Sequence, residues 1–150
     1  MSMETQVASS LIVNPTLAIK AGASPTVKSS NAFAGWVNNV LVTKAAGDMP
    51  ALTGTIPTLN SSVYTFYMDQ TGTITVVKGN NVASTASGQI GMGDVVPQTS
   101  TGLSQVQTAQ ICVGQVVVVN GTASVFTGGT TALDTASLTV YYSNFPVSGF

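Results

Sequence analysis

Short stretches of alternating apolar and polar residues, separated by turn formers, recur along most of the chain. The most regular pair is Val63–Met68 and Thr73–Lys78, joined by Asp69-Gln70-Thr71-Gly72. Asp opens and Gly closes this connection, as type I turns prefer. The pattern predicts a β-hairpin whose large apolar side chains share one buried face. The residues on that face are Tyr64, Phe66, Met68, Ile74 and Val76.

Two further hairpins are predicted from the same kind of pattern. Phe33–Lys44 contains Asn38-Asn39 at its centre, and Asn tolerates the positive φ of a tight two-residue turn. Ile111–Val119 is almost continuously apolar, which indicates a strand buried on both faces. We expect Asn120-Gly121 to turn the chain, so that Thr122–Phe126 returns beside this strand.

The fold class follows from these strands and from the lack of helix signals. No window of a dozen residues places apolar side chains at i, i+3, i+4 and i+7. With a last strand at Leu138–Ser143, about eight short strands predict an all-β fold, either an antiparallel β-sandwich, a jelly-roll-like arrangement or a small barrel. We expect a single domain over 31–150, with a long loop at about 84–110 that is rich in Gly, Ser, Thr and Gln.

Both ends of the chain carry short apolar patches without an evident strand partner. Residues 1–30 are predicted to form an extended N-terminal arm, an edge strand or both, because Pro15 and Pro25 are incompatible with a central strand. Such segments suit strand addition to a neighbouring subunit. The predicted protein-interface residues are Leu11, Ile12, Val13, Leu17 and Ile19 near one end, and Phe145, Val147 and Phe150 near the other.

The composition favours association with other proteins. Only 6% of the residues are charged, whereas a typical globular domain has about 25%. A formal net charge of −1 gives little self-repulsion and makes association easy. The 44% of hydrophobic residues can fill a core, which argues against disorder as the main state. We therefore expect a protein that packs against other copies or other proteins.

Catalytic and metal chemistry have few candidate residues. The chain has no histidine, which excludes a Ser-His-Asp triad, a Cys–His pair and a His-based zinc site. The internal acids Asp48, Asp69, Asp94 and Asp134 lie in turns, where Asp accepts bonds from local N–H groups, although two could still meet as a carboxylate pair. Cys112 lies in an apolar strand and is expected to be an inert thiol. We predict no enzymatic activity, no cofactor and no metal.

The sequence also argues against nucleic acids and membranes as partners. Four separated lysines cannot neutralise a phosphate backbone. No apolar run approaches the roughly 18 residues of a membrane span, and residues 1–10 lack the features of a signal peptide. We expect synthesis in a cytosol and a soluble protein until it assembles. The aromatics Trp36, Tyr64, Phe66 and Tyr67 could form a stacking surface, but at strand spacing such residues more often belong to a core.

Several motifs resemble a family of small tailed-phage virion proteins. Asn31-Ala32-Phe33 and Gly72–Gly79 carry the resemblance in the first half. In the second half, Phe126–Leu133 is similar to the family's Phe-Thr-x-Gly-Thr-Thr-x-Leu turn, and the pattern covers about residues 26–145. Members are structural proteins of the virion, of the head-decoration or head-fibre type. The resemblance implies a place in a virion and offers no catalytic residues.

Two functions are therefore expected from different classes. The first is a capsid decoration or cement protein, made in the host cytoplasm and bound to the major capsid protein on the capsid surface as a homo-oligomer, for which a trimer is expected. The second is a receptor- or glycan-binding module, in a fibre or secreted, that uses surface aromatics.

Overall fold

The computed structural model describes residues 10–83 and 110–144, and every strand pairing in them is antiparallel. These residues form strands and connecting turns, without a helix. The strands are β1 (Ser10–Val13), β2 (Leu17–Ile19), β3 (Val27–Ser29), β4 (Phe33–Val37), β5 (Val40–Lys44), β6 (Gly47–Asp48), β7 (Thr55–Ile56), β8 (Asn60–Asp69), β9 (Ile74–Lys78), β10 (Val82–Ala83), β11 (Gln110–Asn120), β12 (Phe126–Thr127) and β13 (Leu138–Ser143). The predicted all-β antiparallel fold is confirmed.

The largest sheet is built around the long pairing of β8 with β11. This pairing runs from Gln110 opposite Asp69 to Val119 opposite Ser61. β13 pairs with the other side of β11, and β9 and β10 pair with the other side of β8, which completes a five-stranded sheet. In the predicted hairpin β8–β9, Phe66 lies directly opposite Val76, as its alternation indicated.

A second layer covers the inner face of the five-stranded sheet. It consists of two three-stranded sheets, β1-β4-β5 and β2-β3-β6, while β7 and β12 form a separate two-stranded ribbon. β1 and β4 contact β11, and β2 contacts β13. The layers enclose one core and match a β-sandwich. The largest fully buried side chains include Tyr64, Phe66, Met68, Leu52, Ile56 and Phe126.

The two hairpins with strong turn signals form as predicted. Asn38 and Asn39 have φ values of 50° and 65°, the positive pair that a tight type I′ turn requires. In the β8–β9 turn, the Asp69 carboxylate accepts bonds from the Thr71 hydroxyl at 2.7 Å and from the Thr73 N–H at 3.0 Å. These bonds, the Thr71 hydroxyl first, lower the pKa of Asp69 because they favour its charged form.

The third predicted hairpin is wrong. Phe126–Thr127 pairs with Thr55–Ile56 instead of returning beside β11, and Leu138–Ser143 pairs with the edge of β11 that β8 leaves open. The reason is the buried side chain of Asn120, whose Nδ2 donates to the Ile56 carbonyl at 2.9 Å and to the Ser124 carbonyl at 2.8 Å. These bonds direct the chain after β11 towards β7 rather than back along the sheet.

Burial along β11 alternates instead of being continuous. Val116 and Val118 are fully buried on the inner face, whereas Val117 and Val119 are only half-buried on the outer face. The prediction of complete burial on both faces is therefore wrong. A β-bulge between Cys112 and Gly114 shifts the register within this strand.

Residues 10–30 are extended but belong to the body of the sandwich. β1 and β2 lie at sheet edges, which fits the edge-strand form of the prediction, whereas β3 lies between β2 and β6. Leu11, Leu17 and Val27 are part of the core, so these residues are not an arm apart from the domain. Nearly all of the predicted loop at about 84–110 lies outside the described residues.

We predict that Gly35→Ala destabilises the protein by about 1–3 kcal/mol, because overpacking strains a closely packed core. A Cβ at Gly35 would collide with Ile111 Cδ1 and would lie 2.9 Å from the Ser10 carbonyl oxygen, which is backbone and cannot simply rotate away. Urea unfolding measures the change.

The matched control is Gly47→Ala, since a Cβ there would have no atom within 4 Å. This variant should change the free energy of unfolding by less than about 0.5 kcal/mol. Equal effects of the two substitutions would contradict the close approach of β1, β4 and β11.

Candidate protein-interaction surface

The outer face of the β1-β4-β5 sheet presents large apolar side chains to solvent. Trp36 and Leu41 lie directly opposite each other on neighbouring strands and are 40% and 51% exposed. Val13, on β1, is 46% exposed and lies opposite Ala34. We call this surface the Trp36 face. Its residues are Ser10, Val13, Ala34, Trp36, Leu41 and Thr43.

Local sequence explains which side chains point outwards. Phe33 and Val37 are buried, so alternation along β4 turns Trp36 to the opposite side of the sheet. On β1, a register shift between Leu11 and Val13 puts Val13, rather than Ile12, opposite Ala34. A bulge of this kind re-aims the side chains that follow it. Leu11 therefore enters the core while Val13 joins the Trp36 face.

The chemistry of the Trp36 face suits contact with another protein. All six of its residues are uncharged. Side chains directly opposite each other in an antiparallel pair have Cβ atoms about 4.5–5.5 Å apart, so Trp36 and Leu41 form a continuous apolar surface. A contiguous exposed apolar patch indicates an interaction site, and Trp is enriched among the residues that contribute most to binding.

Hydrogen bonds fix the β4–β5 hairpin against the β8–β9 hairpin. Asn38 Nδ2 donates to Gln70 Oε1 at 3.4 Å, and Lys44 Nζ donates to the Gly72 carbonyl at 2.8 Å. The two hairpins are thereby held together, so the strands carrying Trp36 and Leu41 are attached to the main sheet. The same contact places amide side chains at the turn that follows Trp36.

Most charged side chains among the described residues make contacts within the chain itself. Lys20 forms an ion pair with Asp48, with Nζ and Oδ2 2.6 Å apart. The Asp134 carboxylate accepts the Ala23 N–H at 2.8 Å, and Lys78 Nζ donates to Asn81 Oδ1 at 2.6 Å. These bonds hold turns and strand ends. Charge therefore contributes to the internal geometry and leaves the Trp36 face uncharged.

Cys112 has the environment of an unreactive thiol. Its side chain is half-buried on β11, and burial raises the pKa of the thiol to about 12, against a smaller lowering by a backbone hydrogen bond with Gly114. The thiol is therefore protonated near neutral pH. Over residues 10–83 and 110–144, no three His, Cys, Asp or Glu side chains group as a metal site, and no helix is long and apolar enough to cross a membrane.

The predicted interface residues separate into three groups. Leu11 and Leu17 are only 6% and 4% exposed within the chain's own core, so their predicted contact with another subunit is wrong. Pro15 excludes a central strand but still allows edge strands with one buried face, which explains the error. Ile12 and Ile19 are half-buried, and Ile19 packs against the core. Val13 is exposed and remains a candidate, whereas Phe145, Val147 and Phe150 lie outside the described residues.

The aromatic residues also divide between core and surface. Tyr64 and Phe66 are fully buried, as expected, and the Tyr64 hydroxyl donates to the Thr53 carbonyl at 2.9 Å. Trp36 was expected in the core by the same general preference but is exposed. The adjacent Trp36-Val37 pair left its face undecided in sequence. The alternation of Phe33, Gly35 and Val37 is the signal that could have placed Trp36 outside.

Comparison with known proteins does not assign a family. No protein-family model, curated protein or solved structure matches the chain. A function must therefore follow from the sequence pattern, the distribution of charge and the Trp36 face.

We predict that Trp36→Ser changes the free energy of unfolding by less than about 1 kcal/mol, because most of the cost of a core truncation is absent at a surface position. Phe66→Ala, at a fully buried site, should cost about 3–5 kcal/mol. Chemical denaturation compares the two. A loss of several kcal/mol in Trp36→Ser would show that the indole belongs to the core.

We predict that Cys112 in the folded protein reacts with iodoacetamide on the order of a thousandfold more slowly than in the urea-unfolded chain at about pH 8, because a pKa of about 12 leaves little thiolate. The rate for the folded protein should rise about tenfold per pH unit between about pH 7 and 9, because the thiolate fraction rises about tenfold per unit well below the pKa. Similar rates in the folded and unfolded chains would contradict the assigned environment.

The same raised pKa has a consequence for stability. Above about pH 8.5 the unfolded chain loses a thiol proton that the folded protein keeps up to about pH 12. The contribution of Cys112 is therefore fully present below about pH 8.5 and is lost as the pH rises towards 12. Cys112→Ser should weaken this alkaline loss in urea titrations at a series of pH values.

Proposed function

We propose that the protein is a non-enzymatic structural component of a tailed-phage virion, a capsid decoration or cement protein. In this role it binds the major capsid protein as a homo-oligomer and stabilises the shell from the capsid surface. The observation that carries the proposal is the uncharged Trp36 face, with Val13, Trp36 and Leu41 exposed on adjacent strands.

The size of the Trp36 face favours binding through several copies at once. Complete burial of an aliphatic or aromatic side chain contributes roughly 1.5–3 kcal/mol. Val13, Trp36 and Leu41 are 46%, 40% and 51% exposed in the free chain. Burying the rest of these three side chains gives roughly 2–4 kcal/mol, whereas association costs an estimated 4–15 kcal/mol in lost freedom. One face alone would therefore bind weakly. An oligomer on a repeating capsid lattice engages several faces, and linked binding events raise the overall affinity by factors of about 10²–10⁴.

The scarcity of charge also fits a protein that stays on a shell. Only 6% of the residues are charged, and most of the described charges make contacts within the chain, so long-range electrostatic attraction to a partner is weak. Binding that depends on apolar burial is insensitive to the salt screening that weakens surface ion pairs. We therefore expect attachment that persists at high ionic strength.

The sequence resemblance supports the choice of a virion as the location. The motifs at 31–33, 72–79 and 126–133 are those through which the chain is similar to small virion proteins of tailed phages. That family resemblance brings no catalytic residues. The protonated, half-buried thiol of Cys112 is consistent with a structural role.

The second candidate function is glycan binding in a fibre or a secreted module. Its supporting observation is an exposed indole beside a turn that carries amide groups, with Asn38 bonded to Gln70. Sugar rings stack on aromatic side chains, and a few polar groups fix their orientation. The neighbouring Val13 and Leu41 favour a protein partner over a sugar, because they add apolar area without hydrogen-bonding groups.

We predict that Trp36→Ser and Leu41→Ser each weaken co-sedimentation with capsids of the parent phage assembled without this protein. Loss of a central interface anchor costs at least about 1.4 kcal/mol, so the apparent Kd should rise at least about tenfold. The control is Val125→Ser, since Val125 is 51% exposed but lies outside the Trp36 face. The wild type should bind with similar affinity at low and high salt.

The outcomes separate the two functions. Unchanged capsid binding by both Trp36→Ser and Leu41→Ser would contradict the proposal. Wild-type protein that ignores capsids but binds host surface oligosaccharides, with binding lost in Trp36→Ser, would replace it with the glycan-binding function.

A further inference from the structure

Within residues 10–83 and 110–144, the last strand of the five-stranded sheet has an open edge. β13 pairs through one side with Gln115–Asn120 of β11. It stands at the end of the strand order, and no other strand among the described residues pairs with its second side. An edge strand presents unpaired N–H and C=O groups, which form a template for another strand.

The other described edges carry the features by which proteins block such pairing. β5 ends in Lys44 and β9 ends in Lys78. β1 is interrupted by a register shift, and β2, β6, β7, β10 and β12 are only two or three residues long. Charges, bulges and shortness all discourage edge-to-edge association. β13 differs because its six residues contain no charge and no proline, and its pairing with β11 is regular.

The side chains of β13 are suited to pairing on both faces. Thr139, Tyr141 and Ser143 are exposed on the outer face, with Tyr141 49% exposed. Leu138, Val140 and Tyr142 are half-buried against the core. Burial, and to a smaller extent the charge of Asp134, raise the pKa of Tyr142. The Asp134 carboxylate itself accepts the Ala23 N–H and does not belong to β13.

We infer that β13 pairs antiparallel with β13 of a second copy, which joins the two five-stranded sheets into one continuous sheet. The contact is twofold, so it gives dimers rather than the trimer expected from sequence. The inference deepens the homo-oligomer part of the proposed function. Its partner is a copy of this chain, whereas the Trp36 face is assigned to the capsid.

Self-complementarity identifies the partner as a second copy. A twofold contact requires each strand to match its own sequence in the reverse direction. With Val140 on the axis, Thr139 lies opposite Tyr141 of the partner subunit. On the other face, Leu138 lies opposite Tyr142 of the partner subunit. Pairs of an aromatic with a β-branched residue stabilise antiparallel strands, and no like charges meet.

The oligomeric state of the full-length chain tests this contact by analytical ultracentrifugation. We expect the wild type to dimerise, and Tyr141→Lys to raise the dimer dissociation constant at least about tenfold, because a lysine on an edge opposes pairing. Tyr141→Phe keeps the aromatic ring and should dimerise like the wild type. The control is Thr75→Lys, an exposed position on the opposite edge of the same sheet, which should leave dimerisation unchanged.

A cross-link tests the register directly. In a Cys112→Ser background, Val140→Cys should give a disulfide-linked dimer on mild oxidation. Residues directly opposite each other on antiparallel strands have Cα atoms about 4.5–5.5 Å apart, and disulfides need a Cα separation of about 4.4–6.8 Å. A monomeric wild type would overturn the inference. So would a Tyr141→Lys variant that dimerises as well as the wild type, together with a Val140→Cys variant that forms no cross-link. Capsid binding measured on the same variants distinguishes the two proposals, because failure of the β13 contact leaves the Trp36 face intact.

Discussion

The pairing of β8 with β11 is the contact on which the rest of the structure depends. These two strands, of ten and eleven residues, are the longest described, and they lie at the centre of the main sheet. Their shared inner face carries Tyr64, Phe66, Val116 and Val118, all fully buried. The other strands of that sheet attach at their edges, and the second layer packs on the inner face. Loss of this pairing would split the main sheet and remove the inner face on which β1 and β4 pack.

This arrangement explains why the accessible apolar residues are where they are. The inner face of β1-β4-β5 is used to close the core against β11, and Gly35 permits the close approach. The outer face of that thin layer has no further layer of described strands above it, so Trp36 and Leu41 are exposed. With most described charges held in intramolecular contacts, the proposed associations rely on apolar side chains. The proposed capsid contact and the proposed self-association then use separate surfaces.

Sequence predicted the elements whose determinants are local. The β4–β5 and β8–β9 hairpins follow from Asn38-Asn39 and from Asp69, which act within a few residues of themselves. The path after β11 was missed because Asn120 bonds to Ile56, which is 64 residues away in the chain. The burial of Leu11 depends similarly on a distant partner, since β1 pairs with β4. The Trp36 face was missed because the direction of the Trp36 side chain depends on which residues of β4 enter the core, and these are Phe33 and Val37.

The most direct test of the account uses the single tryptophan of the chain, because its fluorescence reports on the Trp36 face alone. 5-Hydroxytryptophan incorporated at this position can be excited apart from the tryptophans of the capsid. Acrylamide quenching is then compared for the free protein and for protein that co-sediments with capsids. The account predicts that capsid binding protects the indole and shifts its emission to the blue. Bound protein whose indole is quenched as readily as in solution would contradict the assignment of this face to the capsid.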